Sequence, residues 1–180
     1  LAVRLKAGRL TADANLVATY ATESLTESEK YSIKTPDDRH KLSPSLALSY
    51  RLLHDHALYL RANVKSTFRM PTFNDLYYLQ IGNTALRPEK AQEYGGGITW
   101  NSGTIGHLKY LAITADGYYN HVTDKIVAFP STYVWKMVNF GKVYIIGVDV
   151  TAAMEVELAR KWSVAATGAF TLQDAKDKTV

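Results

Sequence analysis

The chain has 180 residues, 47% of them hydrophobic and 21% charged, a composition within reach of one folded domain. It holds no cysteine, which removes disulfide frameworks, thiolate metal sites and cysteine nucleophiles, and its formal charge of +4 is spread along the chain without a Lys/Arg block of the kind that binds nucleic acid. No run approaches the ~20 apolar residues of a membrane-spanning helix, which leaves open a membrane crossed by strands, because strands alternate and average out near neutral hydropathy.

Taken in order, the chain alternates almost from its first residue. Leu1, Val3, Leu5 and Ala7 oppose Ala2, Arg4, Lys6 and Gly8, the period of a strand with one apolar face. The same stretch contains no apolar h-region, so the expectation is a start inside a longer protein. After a tight turn at Gly8-Arg9 the alternation resumes with Leu10, Ala12, Ala14, Leu16, Ala18 and Tyr20. From Thr22 to about His40 the chain is polar, with Pro36-Asp37-Asp38 as a turn signal, and reads as a long exposed loop. A third strand runs from Leu42 with Leu46, Leu48, Tyr50 and Leu52 on one face, and a short turn at Leu53-His54-Asp55 leads into a fourth carrying Leu58, Leu60, Ala62, Val64 and Phe68. After a second long connection, a fifth strand from about Ala91 places Tyr94, Ile98 and Trp100 together, and beyond Asn101-Ser102-Gly103 a sixth carries Leu111, Ile113, Ala115, Gly117 and Tyr119. His121 to Gly141 is a third long connection with strand-like pieces at Ile126 to Phe129 and Tyr133 to Met137. The seventh strand presents Tyr144, Ile146, Val148, Val150, Ala152 and Met154, and a turn at Ala159-Arg160-Lys161 opens an eighth with Trp162, Val164, Ala166, Phe170 and Leu172. The remaining Asp174 to Val180 reads as the start of another long loop.

Three features favour a membrane barrel over a soluble β-sandwich. Several strands hold phase for ten or more residues, whereas soluble strands average ~5 to 6 and a tilted spanning strand needs ~9 to 11. One face carries Leu, Val, Ile, Phe and Ala, with Tyr20, Tyr50, Trp100, Tyr119 and Trp162 near the strand ends and no charge in the middle, where Arg or Lys would cost roughly 2 to 4 kcal/mol in lipid. The connections alternate short and long, as expected when short turns face the periplasm and the loops at 21 to 41, 69 to 90 and 121 to 141 face outward.

The second long connection is the most informative. Phe68-Arg69-Met70-Pro71-Thr72-Phe73-Asn74-Asp75-Leu76-Tyr77-Tyr78 is followed by Gly82-Asn83-Thr84-Ala85-Leu86-Arg87-Pro88-Glu89-Lys90. Pro71 and Pro88 each bar a regular ladder bond and Gly82-Asn83 supplies a turn, so the segment reads as one structured loop held by a rigid scaffold. This pattern resembles the FRAP/NPNL-type box in the barrel of TonB-dependent outer-membrane receptors, nearest to the cobalamin and iron-chelate receptors, and the flanks YYNHVTDKIV and NFGKVYIIGVDV resemble the same family. Met70 stands where the family more often has Ala, and Thr84-Ala85 replace its usual Pro and acidic or amide residue. Haem receptors of the family tend to carry a His between the two halves of the box, and none occurs from Ser66 to Gly106, which demotes haem as cargo.

The resemblance, together with the alternation, gives these expectations. The fold is all-β, an antiparallel up-and-down meander of about eight long strands forming a segment of a larger transmembrane β-barrel. Residues 1–180 form part of the barrel domain, from its C-terminal part, without plug domain or closing strand. The function is energised uptake of a scarce nutrient, a cobalamin-like molecule or an iron chelate of the siderophore type, in the bacterial outer membrane. The partners are the TonB complex through a plug region, the nutrient chelate and outer-membrane lipid, with no nucleic acid. Phe68, Arg69, Pro71, Asn83, Leu86, Pro88 and Glu89 brace the box, while Tyr77, Tyr78, Gln80 and Arg87 are the candidates for ligand contact. Two alternatives stand beside this reading: a self-contained eight-stranded barrel for adhesion or structure, and a soluble all-β binding module.

Other constellations have plainer explanations. His54-Asp55-His56 sits in a tight turn without further ligands nearby. Gly95-Gly96-Gly97 lacks the Gly-Lys-Ser/Thr of a phosphate loop and suits close approach inside a barrel. Glu155 and Glu157 share a face but fit lumen-lining charge better than an acid/base pair. No catalytic residue, metal site or cofactor is expected.

Overall fold

A computed structural model describes residues 1–22, 39–53, 57–159 and 162–177. His54-Asp55-His56, Arg160-Lys161 and most of the loop after Thr22 lie outside the described residues. The strands are β1 (Ala2–Ala7), β2 (Leu10–Ala21), β3 (Arg39–Arg51), β4 (Ala57–Arg69), β5 (Glu89–Asn101), β6 (Leu108–Thr123), β7 (Ile126–Pro130), β8 (Trp135–Asn139), β9 (Lys142–Ala159) and β10 (Trp162–Asp177), with one short helix, α1 (Phe73–Tyr77). Eight of them form one sheet in the order β1-β2-β3-β4-β5-β6-β9-β10, every pair antiparallel, while β7 and β8 form a separate hairpin in the connection between β6 and β9. This is the expected meander. Its edges, β1 and β10, do not pair with each other, which speaks against a self-contained eight-stranded barrel.

Register fixes what each face contains, because a slip of one residue would invert every side chain. Across β4, β5, β6 and β9 the outward rows read Leu58-Trp100-Ile113-Ala152, Leu60-Ile98-Ala115-Val150, Ala62-Gly96-Gly117-Val148 and Val64-Tyr94-Tyr119-Ile146. Among the described residues no second layer covers them: Ile98 is 46% exposed, Phe170 62% and Leu172 64%. On β5 the outward residues Tyr94, Gly96 and Ile98 are exposed while the inward Glu93, Gly95, Gly97 and Thr99 are half-buried, as on a curved wall whose concave side crowds its side chains. A bare apolar sheet of this extent is a liability in water and the normal condition in lipid. Aromatic rings edge the band. Tyr20 packs on His40 with centroids 4.8 Å apart at the loop end, and Leu10 pairs with Tyr50 at the turn end. Those two rows lie ten residues apart, about 33 Å along the strand and about 25 Å across a bilayer at a tilt of ~40°.

The inward face is held by polar pairs that reach over glycine. Arg61 on β4 donates from Nη2 to both carboxylate oxygens of Asp116 on β6, at 2.7 and 2.8 Å, across the intervening Gly97, where a Cβ would overlap Asp116 Oδ1. Tyr118 crosses Gly147 in the same way to donate to Gln173 at 3.2 Å. The glycines are there for close approach.

The structure departs from the expectations at four places. Asp174 to Asp177 extend β10, paired with Ile146 to Val143, instead of opening a loop. β6 begins at Leu108, because a bulge at Lys109 absorbs an extra residue and lets the ladder run on toward the turn. The box is not all loop: α1 forms inside it, and the turn falls at Tyr78 to Ile81, with Gln80 at φ 68°, ahead of Gly82-Asn83. Finally, the β3–β4 ladder stops at Ser45↔Lys65 although both strands continue. Even-numbered residues of β3 bond toward β4, as Leu52 does to Leu58, so Pro44 lacks its N–H on that side and the seam opens above it.

Candidate ligand-binding mouth

The only buried large apolar side chains among the described residues lie outside the eight-stranded sheet. Leu76 and Leu86 of the box and Ile126 of β7 form a small dry core at the loop end, with Tyr77 and Met137 packed against it. This core joins the loop between β4 and β5 to the β7–β8 hairpin, and a hydrogen-bond network surrounds it.

The network starts at Arg69-x-Pro71-Thr72. Thr72 caps α1: the Asp75 N–H donates to Thr72 Oγ1 at 3.3 Å and the Thr72 N–H donates to Asp75 Oδ2 at 2.9 Å, a reciprocal capping box. Pro71 is buried beside it. Arg69 spans two carboxylates, with Nη2 3.4 Å from Asp75 and Nε 3.6 Å from Glu89, and Glu89 in turn accepts the Ile126 N–H at 3.3 Å. Asn83 uses its whole side chain. Its Nδ2 donates to the Met137 carbonyl at 3.0 Å and its Oδ1 accepts the Ala85 N–H at 3.0 Å, while its backbone N–H donates to the Asp75 carbonyl at 2.9 Å. The Met137 N–H donates to the Ile81 carbonyl at 2.8 Å. At the far end the Arg87 N–H donates to Asn139 Oδ1 at 2.7 Å, Asn139 Nδ2 donates to the carbonyls of Arg87 and Asp124 at 2.8 and 2.9 Å, and the Arg87 guanidinium reaches Asp124 at 2.6 Å.

The candidates named from sequence therefore separate. Tyr77 lies half-buried on the dry core, its ring 5.0 Å from Phe73. Arg87 is engaged with Asp124. Tyr78 and Gln80 stand exposed at the turn. Phe68 and Pro88 are half-buried, Phe68 on the outward row of β4 rather than in the loop. Residues not singled out from sequence complete the arrangement: Asp124, Met137 and Asn139 hold the hairpin to the box, and Tyr133 (93% exposed), Trp135, Phe73 and Leu79 present apolar surface to solvent. The signal for Asn139 and Asp124 lay in the two flanking motifs, which contain them. A concave region of about 470 Å³ lies lower on the inner face, lined by Arg61, Asn63, Glu93, Asp116, Tyr118 and Gln173. Among the described residues no group of His, Asp and Glu side chains could hold a metal ion.

An open, one-layered antiparallel wall, apolar outside and polar inside, with two of its long loops tied together at one end, defines a segment of a transmembrane β-barrel. The chain belongs to the family of the TonB dependent receptor-like β-barrel, which it matches over residues 2–180. It is 30% identical over 96 residues to the vitamin B12 transporter BtuB of Vibrio vulnificus, covering 52% of this chain and 15% of that protein. To BtuB of Photobacterium profundum it is 31% identical over 112 residues, covering 59% of this chain and 17% of that one. The chain thus spans about a sixth of the length of these relatives. Among solved structures, the FrpB iron transporter of Neisseria meningitidis superposes with a TM-score of 0.66 at 15% identity, over 97% of this chain and 25% of that one. The copper transporter OprC gives 0.65 at 18% identity, over 97% and 28%. At such identities these two show the shared fold.

Proposed function

We propose that this wall segment belongs to a receptor in the bacterial outer membrane that takes up a scarce nutrient, a cobalamin-like molecule or an iron chelate, with energy delivered through the TonB complex and a plug region. The observation that carries the proposal is the family match over residues 2–180, reinforced by two cobalamin transporters at 30% and 31% identity. The wall segment, in this reading, holds loops in place at the mouth. In this reading Tyr78 and Gln80 touch the cargo, supported by their exposure at the turn, and Tyr77 and Arg87 shape that turn from behind. Phe68, Arg69, Pro71, Asn83, Leu86, Pro88 and Glu89 brace it, supported by the hydrogen bonds around Arg69, Asn83 and Glu89.

Deleting the full-length gene and measuring uptake of cyanocobalamin and of a panel of ferric chelates tests the proposal. Loss of one cargo is expected, and undiminished uptake of all of them contradicts it. At the mouth, Tyr78→Ala with Gln80→Ala in the full-length receptor is expected to raise the half-saturating cargo concentration about tenfold, the scale of ~1.4 kcal/mol of binding, with the amount of receptor in the membrane unchanged.

A further inference from the structure

The outward rows continue above the tyrosines toward the loops, and their chemistry changes step by step. Above Val64-Tyr94-Tyr119-Ile146 comes Ser66-Gln92-His121-Tyr144, and above that Phe68-Lys90-Thr123-Lys142. The wall thus passes from a row of aliphatic and tyrosine side chains, through a polar row that carries two rings, to a row with two lysines. The His121 and Tyr144 rings stack face to face, with centroids 4.5 Å apart and planes 6° from parallel, in the row directly below the lysines. Lys90 and Lys142 are both exposed and separated by β6 alone, so their Cα atoms stand about 10 Å apart, two strand spacings, with Thr123 between them.

The charges near this row explain why these lysines are available. Near this row, Arg69 is matched to Asp75 and Glu89, and Arg87 to Asp124. The acid on the outward face of β10, Asp174, is held by Lys176 at 3.1 Å. Lys90 and Lys142 have no carboxylate within ion-pair distance among the described residues. Both stand on the outward face, one row above His121 and Tyr144, which in the outer-membrane reading is the level where acyl chains give way to headgroups.

We propose that Lys90, Thr123 and Lys142 form a binding site for the phosphate of an anionic lipid headgroup in the outward leaflet, its glycerol or sugar backbone lying beside the stacked His121–Tyr144 pair. The proposal rests on the outer-membrane reading of the sheet and is independent of which cargo the receptor carries. It assigns the lipid a fixed place on the wall beneath the two tied loops.

The test uses the full-length receptor in nanodiscs of phosphatidylcholine doped with either diphosphoryl lipid A or its dephosphorylated form, with lipid retained through purification counted by native mass spectrometry. Wild type is expected to retain the phosphorylated lipid roughly tenfold or more over the dephosphorylated one, each lysine near an anionic headgroup contributing about a factor of five. Lys90→Gln with Lys142→Gln is expected to erase that preference, and Lys90→Arg with Lys142→Arg to keep it. Equal retention of the two lipids by wild type, or an unchanged preference in the glutamine variant, overturns the proposal. Displacement of the lipid by excess inorganic phosphate would mark a site for the free anion and also overturns it. Should the glutamine variant fail to assemble, the wild-type comparison decides alone. A receptor that does not enter nanodiscs sinks the outer-membrane reading itself, whereas one that enters and shows no lipid preference sinks this proposal only.

Discussion

Gly97 and Gly96 are neighbours in sequence and opposite in consequence. A side chain at Gly97 would be driven into the Asp116 carboxylate, whereas a Cβ at Gly96, on the outer face, would meet nothing nearer than the Arg61 carbonyl at 3.6 Å. Gly97→Val should therefore part Arg61 from Asp116 and destabilise the barrel by about 1–3 kcal/mol, and Gly96→Ala should change stability by less than about 0.5 kcal/mol. The temperature at which the folded band is lost on heated, unboiled gels separates the two. Most of the Gly97 effect is the overlap itself, because the ion pair is 39% and 38% exposed and a hydrated pair contributes little. The triplet Gly95-Gly96-Gly97 signalled close approach in the sequence. Which side chains approach could be known only once register brought Arg61, Gly97 and Asp116 into one row.

At the scale of elements, the strands were legible and the box was legible only as a unit. Period-two alternation specifies a strand and its two faces, and a barrel wall in lipid obeys that rule with few exceptions, so β2, β4, β6 and β9 emerge from the pattern alone. Helix α1 is too short to show a 3.6 period; its only sequence signal is Thr72-x-x-Asp75, a capping box with Asp in place of Glu. The tie between box and hairpin was invisible because its partners, Asn83 and Met137, are 54 residues apart and only the fold joins them. Two outcomes follow for these elements. Asn83→Ala removes two side-chain hydrogen bonds worth on the order of 1 kcal/mol each, so amide exchange should accelerate at residues 73–86 and 126–139 together while the sheet keeps its protection. Acceleration confined to one of the two segments would show that they are not tied. Pro44→Val returns the missing N–H on the β4 side, and the amides of Ser66 and Phe68 should then exchange more slowly as the seam closes; unchanged exchange there would mean that something other than the proline holds β3 and β4 apart.

At the scale of the whole molecule, stability turns on which solvent each face meets. Dry packing cannot stabilise a sheet when the only buried core among the described residues, Leu76, Leu86 and Ile126, lies in its loops. In the outer-membrane reading proposed above, acyl chains cover the apolar wall, and water or a plug region meets the polar wall. Ile98→Arg at mid-wall should accordingly cost roughly 2–4 kcal/mol and lower the amount of assembled receptor, while Thr99→Arg on the inner face should be tolerated. The most direct measurement is a nitroxide scan of single cysteines at Glu93 through Asn101 in the full-length receptor in bilayers, read for collision with lipid-dissolved oxygen and with a water-soluble nickel chelate. Labels at 94, 96 and 98 should collide with oxygen and those at 93, 95, 97 and 99 with nickel, in strict alternation. Labels at 94, 96 and 98 that are shielded from both reagents would place the oily face against protein and contradict the account.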